Sequence, residues 1–314
     1  MSKSEYWGYN GDLSDEKFQM VGRRSDESEQ IIRPAVSPFK DGWNRLKKNK
    51  AAIISLVILF IIIVMAIIGP QMNQFTYHET QYEKVFQEPS SEHWLGTDKF
   101  GRDQWTRVWE GTRISLYIAF LAALLDILIG VTYGSISALF GGRVDQIMQR
   151  MIEILIGIPH FMIIILLMMF MKPGILTITL AMVITGWVNM ARLVRAQIFK
   201  LKNQEFILAS KALGASNKRL IFSHMLPNTL GIIIINMMFT IPNAIFTEAF
   251  LSFIGLGLQE PLASLGVLIN DGFQAMRNEF YLLLYPAMII IALMICFNLL
   301  ADGLRDAFDP KMRK

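Results

Sequence analysis

A chain of 314 residues that is 53% hydrophobic and only 18% charged, with a mean hydropathy of +0.39, is too apolar for an ordinary soluble domain. Its formal net charge of +4 comes from basic residues clustered beside long apolar blocks, which speaks for membrane topology and against nucleic-acid binding. The single cysteine, Cys296, excludes an intrachain disulfide framework. No Cys/His cluster with metal-ligand spacing is present, and Cys296 itself, inside an apolar block, reads as a small core residue.

Residues 1–50 are polar and of mixed charge, and predict a cytoplasmic N-terminal tail, partly disordered up to about residue 40. No cleavable signal peptide is visible, because the apolar run starts late and no small-residue cleavage site follows it. Trp43, Arg45, Lys47, Lys48 and Lys50 form an aromatic and basic anchor ahead of the first span, 51–69. Its core, Ala51–Ile68, carries no charge and approaches the roughly 20 residues a bilayer core requires. The basic cluster before it predicts an inside N-terminus. Residues 70–113 are then expected outside. They contain the run His93-Trp94-Leu95-Gly96-Thr97-Asp98-Lys99-Phe100-Gly101-Arg102-Asp103, in which Asp98, Arg102 and Asp103 are expected to pair among themselves around turns at Gly96 and Gly101.

From 114 to 300 the chain reads as a membrane-embedded core of five further spans. The second span, about Ile114–Phe140, holds Asp126 near its middle. An acid there costs about 2.5–3.5 kcal/mol on insertion scales, so it is expected to face protein or a wet cavity, as an interhelix polar contact or as a pathway residue. Gly141-Gly142-Arg143 returns the chain to the inside. In the third span, about Gln149–Met171, Pro159 removes a helix hydrogen bond and is expected to kink or interrupt it. His160 has no acids at helical spacing and reads as a satisfied interior histidine rather than a proton relay. A very short outer turn, Lys172-Pro173-Gly174, leads into the fourth span, about Ile175–Met190.

Between 195 and 228 lies a polar segment that still reads as ordered helix. Ala209, Ser210, Ala212, Gly214 and Ala215 bring small side chains together, which lets a helix lie very close to another surface. Gly214-Ala215-Ser216 reads as one helix ending and the next being capped, so two short helices with a tight turn are predicted. The basic residues Arg192, Arg195, Lys200, Lys202, Lys211, Lys218 and Arg219, against Glu205 alone, place this loop on the cytoplasmic side. It either docks a partner or packs on its own protein. The fifth span, about Asn228–Phe250, is the most polar. Asn236, Thr240 and Asn243 share one helix face, and with Pro242, Thr247 and Glu248 they suit either a substrate passage or hydrogen bonding between helices. Residues 251–280 are too broken for a span and too apolar for a solvated loop, and fit a re-entrant or surface-lying outer segment. A sixth span, about Tyr281–Leu300, returns the chain to a cytoplasmic tail, 301–314.

Two stretches carry a family resemblance. The spacing Ala209-Ser210, Gly214, Leu226-Pro227 resembles the EAA loop of ABC-importer permeases, with Leu208, Ser210 and His224 standing where that pattern has Glu, Ala and Ile. The 93–103 run resembles a signature of the peptide and nickel branch of the same family. The resemblance covers about residue 40 to Lys314, including Phe250–Gly257 and Asp302–Ala307. It implies an all-α polytopic protein of the bacterial plasma membrane, with six transmembrane helices in the type I ABC-importer permease fold and both termini cytoplasmic. It also implies a second homologous permease subunit, two ATP-binding subunits and an extracellular peptide-binding lipoprotein. Coupling to the ATPase would fall to Glu205, Ala209, Ser210, Lys211, Gly214, Ala215, Leu226 and Pro227. The candidate passage residues are Asn236, Thr240, Asn243, Glu248 and Asp126.

The sequence contains no G-x-x-x-x-G-K-[ST] phosphate loop and no nucleophile–base pair or ligand cluster, so it is expected to be no enzyme, with ATP and Mg held on partner subunits and no cofactor of its own. The expected function is oligopeptide import by alternating access. Nickel import by the same family is the alternative, disfavoured by the scarcity of His and Cys ligands. A gradient-driven carrier would show paired intramembrane acids or interrupted helices repeated in two halves, and none are visible. An ungated channel or a membrane scaffold would lack an ATPase partner.

Overall fold

The computed structural model describes residues 38–172 and 174–308. The expectations for 1–37, for Pro173 and for 309–314 lie outside them. Among the described residues five helical stretches are long and apolar enough to cross a membrane: Lys50–Gln71, Gln104–Phe140, Ile175–Lys202, Asn217–Phe253 and Tyr281–Phe308. We label the helices in chain order: α1 (Pro38–Leu46), α2 (Lys50–Ile68), α3 (Gln104–Phe140), α4 (Gly142–Gly157), α5 (His160–Phe170), α6 (Ile175–Lys202), α7 (Glu205–Ala212), α8 (Asn217–Arg219), α9 (Leu226–Phe253), α10 (Leu265–Ala275) and α11 (Tyr281–Phe308). Among the described residues the only extended pairing is an isolated bridge between Thr97 and Asp103.

The predicted third span is two helices. α4 and α5 meet at a bend of 78°, and the described residues hold six spans when the pair counts as one. Ile158 and Pro159 both take extended ψ values, 128° and 126°. The proline ring disfavours helical backbone at the residue before it and offers no N–H to the ladder.

Several spans are longer than their apolar cores. α3 starts at Gln104 rather than near 114, because Asp103 caps it by accepting from the Thr106 amide at 2.9 Å. The second short helix expected after Gly214 is a correction of another kind. Ser216 does cap α8, but α8 runs through a π-helical turn, Leu220–Met225, straight into α9. It is the beginning of the fifth span, and Leu226 and Pro227 are its residues.

The pair α3 and α6 forms the centre of the bundle. Gly130 and Gly134 sit one turn apart on α3. A Cβ at Gly134 would lie 2.4 Å from the Ala191 carbonyl oxygen, and one at Gly130 would lie 2.8 Å from that of Trp187. Glycines four apart let two helix backbones touch. The seam is pinned beyond Gly134 by Asp145 of α4, which accepts from Ser137 of α3 at 2.5 Å and from both Nε and Nη2 of Arg195 of α6 at 2.5 Å. Around this pair the buried side chains of α2, α5, α9, α10 and α11 complete one continuous apolar core.

With 37 residues, α3 is roughly 55 Å long at about 1.5 Å per residue, and its two termini mark the two ends of the bundle. At its C-terminus Lys202 donates to the Leu139 carbonyl at 2.9 Å, and α7 follows immediately. Leu46, Ala52 and Ala307 pack together, and Phe308 lies against both Gly42 and Gly231 near the start of α9. The described chain therefore begins and ends at the α7 end. At the N-terminus of α3, Trp105 donates to the Gly69 carbonyl at the end of α2, and Lys99 meets Asp271 of α10.

Candidate functional site

The α7 end is left open. Of α7's eight residues only Ile207 is buried, packed with Val194, Ile198, Leu220 and Met225. Glu205, Ala209, Lys211 and Gly214 are exposed, and Ser210 and Ala215 are half-buried. The Ser210 hydroxyl donates to the Phe206 carbonyl at 2.8 Å, so it replaces alanine without presenting a free donor. Gly214 has φ +82°, with nothing within 4 Å of where a Cβ would be. The turn needs a left-handed residue, and glycine supplies it without strain. Among the described residues the small-residue face is largely open at Ala209, Ala212 and Gly214, while Ala215 packs at its edge against the cluster around Ile207. Phe206 and Leu208 are exposed beside it, and Leu213 is 90% exposed. Half-buried Leu226 and exposed Pro227 lie one π-turn further on. Not all the basic residues counted for this loop belong to its surface: Arg195 is paired with Asp145, and Lys202 holds the last carbonyls of α3.

In the middle of the bundle lies a cavity of about 370 Å³. α3 contributes Asp126, and α9 contributes Asn236, Thr240 and Asn243. α6 contributes Thr185, Gly186 and Asn189, and the start of α5 contributes His160. Four of the five candidate passage residues therefore line one space. Thr240 donates to the Asn236 carbonyl at 3.0 Å, while Asn236 reaches only the Met190 sulfur, at 3.8 Å. His160 is hydrogen-bonded through Nδ1 to the Thr185 hydroxyl, a satisfied histidine that also faces the cavity. Thr185 and Asn189 went unnoticed in the sequence, although polar residues four apart in an apolar helix are the available signal.

Glu248 is the exception and a correction. It is fully buried away from the cavity. Its carboxylate accepts from Ser115 at 2.7 Å and from Ser252 at 2.8 Å, and Ser115 in turn accepts from the Leu265 amide at 3.1 Å. Glu248 clasps α9 to α3 and to the start of α10. At about 100° per residue it lies roughly 120° around the helix from Asn236, so periodicity alone separates the two.

At the opposite end the 93–103 run is locked inward. Asp98 pairs with Arg102 at 2.7 Å and with Arg107 at 3.3 Å. Arg107 also lies 3.6 Å from Asp271, and Lys99 reaches Asp271 at 2.9 Å and Glu260 at 3.2 Å. Burial pulls the Lys99 ammonium down, but its two carboxylate partners outweigh that and hold it above the usual lysine range. Asp103 does not join Arg102 as expected. It faces His93 at 2.9 Å, accepts from Asn73 at 2.8 Å and caps α3. A Cβ on Gly101 would sit 1.9 Å from the Gln81 carbonyl oxygen, so this loop closes on itself.

Comparison with known proteins identifies the architecture. Residues 130–314 match the family model described as binding-protein-dependent transport system inner membrane component. Residues 37–89 match the N-terminal transmembrane domain of oligopeptide transport permease C. Similar relatives include the dipeptide transport system permease protein DppC of Bacillus subtilis (47% identical, 96% of this chain, 95% of the relative). The oligopeptide transport system permease protein OppC of the same organism is 47% identical, over 95% of this chain and 97% of its own. That of Escherichia coli K12 is 41% identical, over 94% of this chain and 100% of its own. A chain of the MetNI methionine ABC transporter, solved in inward-facing conformations, shares the fold: TM-score 0.50, 15% identity, 63% of this chain and 96% of that one. This is a family of transport permeases rather than enzymes, and the chain belongs to it: it is an inner-membrane component of a binding-protein-dependent transport system.

Proposed function

We propose that this chain is one of two related permease subunits of an ATP-driven peptide importer. Two ATP-hydrolysing subunits would act on the α7 end, and a solute-binding protein would deliver peptide at the other. The observation that carries the reading is where α7 sits. It is inserted between α6 and the continuous helix Asn217–Phe253, and those two helices supply Asn189, Asn236, Thr240 and Asn243 to the cavity. A push on α7 is therefore a push on two cavity walls. About 16 residues of helix, roughly 24 Å, separate α7 from Asn189. The excess of basic residues around α7 supports a cytoplasmic position for that end, and the two ends of the described chain lie there with it. ATP and Mg would stay on the partners. Their closure shifts the bundle between inward- and outward-open states only through differential contact with α7 in each.

Relatives named for dipeptide and oligopeptide transport support peptide as the solute. The cavity chemistry favours it over nickel. Amides and hydroxyls with one carboxylate and one imidazole match peptide groups, whereas nickel is held by several imidazole, thiolate or carboxylate ligands. Uptake of peptides and of nickel by the reconstituted assembly tests the solute. Gly214→Trp tests the coupling surface: membrane insertion is expected to persist and peptide uptake to be abolished. Undiminished ATP-coupled uptake by that variant would overturn the role of α7.

A further inference from the structure

Asp126 continues the seam of Gly130 and Gly134 by one more turn of α3. Its carboxylate is pressed onto the α6 backbone at Gly186, where a Cβ would lie 2.5 Å from Oδ2 and 2.8 Å from Oδ1. The residue is 6% exposed, and Oδ1 has no hydrogen-bond partner. The other buried acids among the described residues are all met. Glu248 has two serines, Asp145 has Arg195, Asp98 has Arg102, Asp103 has His93, and Glu110 has Arg113.

An ionised, unmet carboxylate in a low-dielectric setting is strongly unfavourable until a proton or a cation reaches it. Among the described residues the wall of the cavity provides no fixed cation: no lysine or arginine lines it, its one imidazole, His160, is hydrogen-bonded to Thr185, and Asp126 is its only carboxylate. Asn189, Asn236 and Asn243 line the same cavity as Asp126, and their side chains both donate and accept, as a peptide bond does. We propose that Asp126 is the anchoring point for a primary ammonium group of the solute in transit, a peptide N-terminus or a lysine side chain, with the three asparagines holding the peptide bonds beside it. This rests on the peptide-import reading above. Gly186 belongs to the device, because any side chain there would displace the carboxylate.

The test uses the assembled transporter in proteoliposomes, with uptake expressed per peptide-loaded binding protein. The probes are trialanine, N-acetyl-trialanine and an N-acetylated tripeptide with a central lysine. Loss of a charge-assisted hydrogen bond predicts that wild type takes up trialanine about tenfold faster than its acetylated form. The lysine peptide reports whether a side-chain ammonium substitutes for the N-terminus. Asp126→Asn is expected to bring trialanine down to the acetylated rate, and Asp126→Glu to keep the preference. A preference unchanged in Asp126→Asn, or no preference in a wild type that does take up trialanine, overturns the proposal. Absence of all peptide uptake by wild type breaks the function assigned above instead. Should Asp126→Asn not assemble, Asn243→Cys in a Cys296→Ser background leaves the carboxylate in place. A cationic thiol reagent should label it about tenfold faster than a neutral one of equal size, after correction for intrinsic reactivity. Equal rates overturn the proposal.

Discussion

The two ends of this bundle are built from similar material, glycine turns and charged residues beside short helices, and the fold treats them in opposite ways. At the 93–103 end, Asp98, Arg102, Arg107, Lys99 and Asp271 pair with one another, and Asp103 is taken up by His93 and by the N-terminus of α3. Within α7 only Ile207 is buried, while Leu208 and, just beyond it, Leu213 are exposed. One end is finished by its own contacts. The other is left exposed, to be covered by a partner under the coupling role proposed above, so stability and function should separate between them.

Four substitutions sharpen or break that contrast. Arg107→Ala should have the largest effect on stability. It strips buried Asp98 and half-buried Asp271 of a cation at a cost of about 3–5 kcal/mol, read as a large drop in the melting temperature of the purified assembly. An unchanged melting temperature would mean that this end is not held by its ion pairs. Gly134→Leu comes next, because a Cβ 2.4 Å from the Ala191 oxygen must push α3 and α6 apart. Overpacking of this kind costs about 1–3 kcal/mol, and loss of assembly on size-exclusion chromatography would report it. Ser216→Ala removes a cap whose bond to the Arg219 amide is long, 3.4 Å, so about 0.5–1 kcal/mol is expected, seen as faster hydrogen exchange confined to 216–220. Leu213→Ser should be smallest in stability, within about 0.5 kcal/mol, yet ATP-driven uptake should fall sharply. A variant with normal uptake would show that this exposed leucine meets no partner.

Much of this was legible in the chain. The apolar blocks and the interruption at Pro159 were, because both are local: a run without polar groups must be buried in lipid or protein, and a proline without an N–H must break the ladder wherever it falls. The glycine turn before Ser216 was legible for the same reason. The helix starts were less so, since α3 is set ten residues early by the Asp103 cap, and the continuity of α8 with α9 is carried by a π-turn that no propensity announces. The candidate passage divided along a line the stripe on α9 could have drawn: Asn236, Thr240 and Asn243 share its face, and Glu248 does not.

By itself, the sequence determined the helical class, the number of apolar blocks, the charge bias around α7 and the breaks at Pro159 and Gly214. Each depends on neighbours within a turn or two. Only the tertiary structure decided which polar side chains meet. Glu248 finds Ser115 across 133 positions of chain, Arg195 finds Asp145 across 50, and Asp126 finds a cavity instead of a partner. Those outcomes are set by how each helix is rotated and how closely glycine lets two backbones approach, and neither is encoded within any one helix.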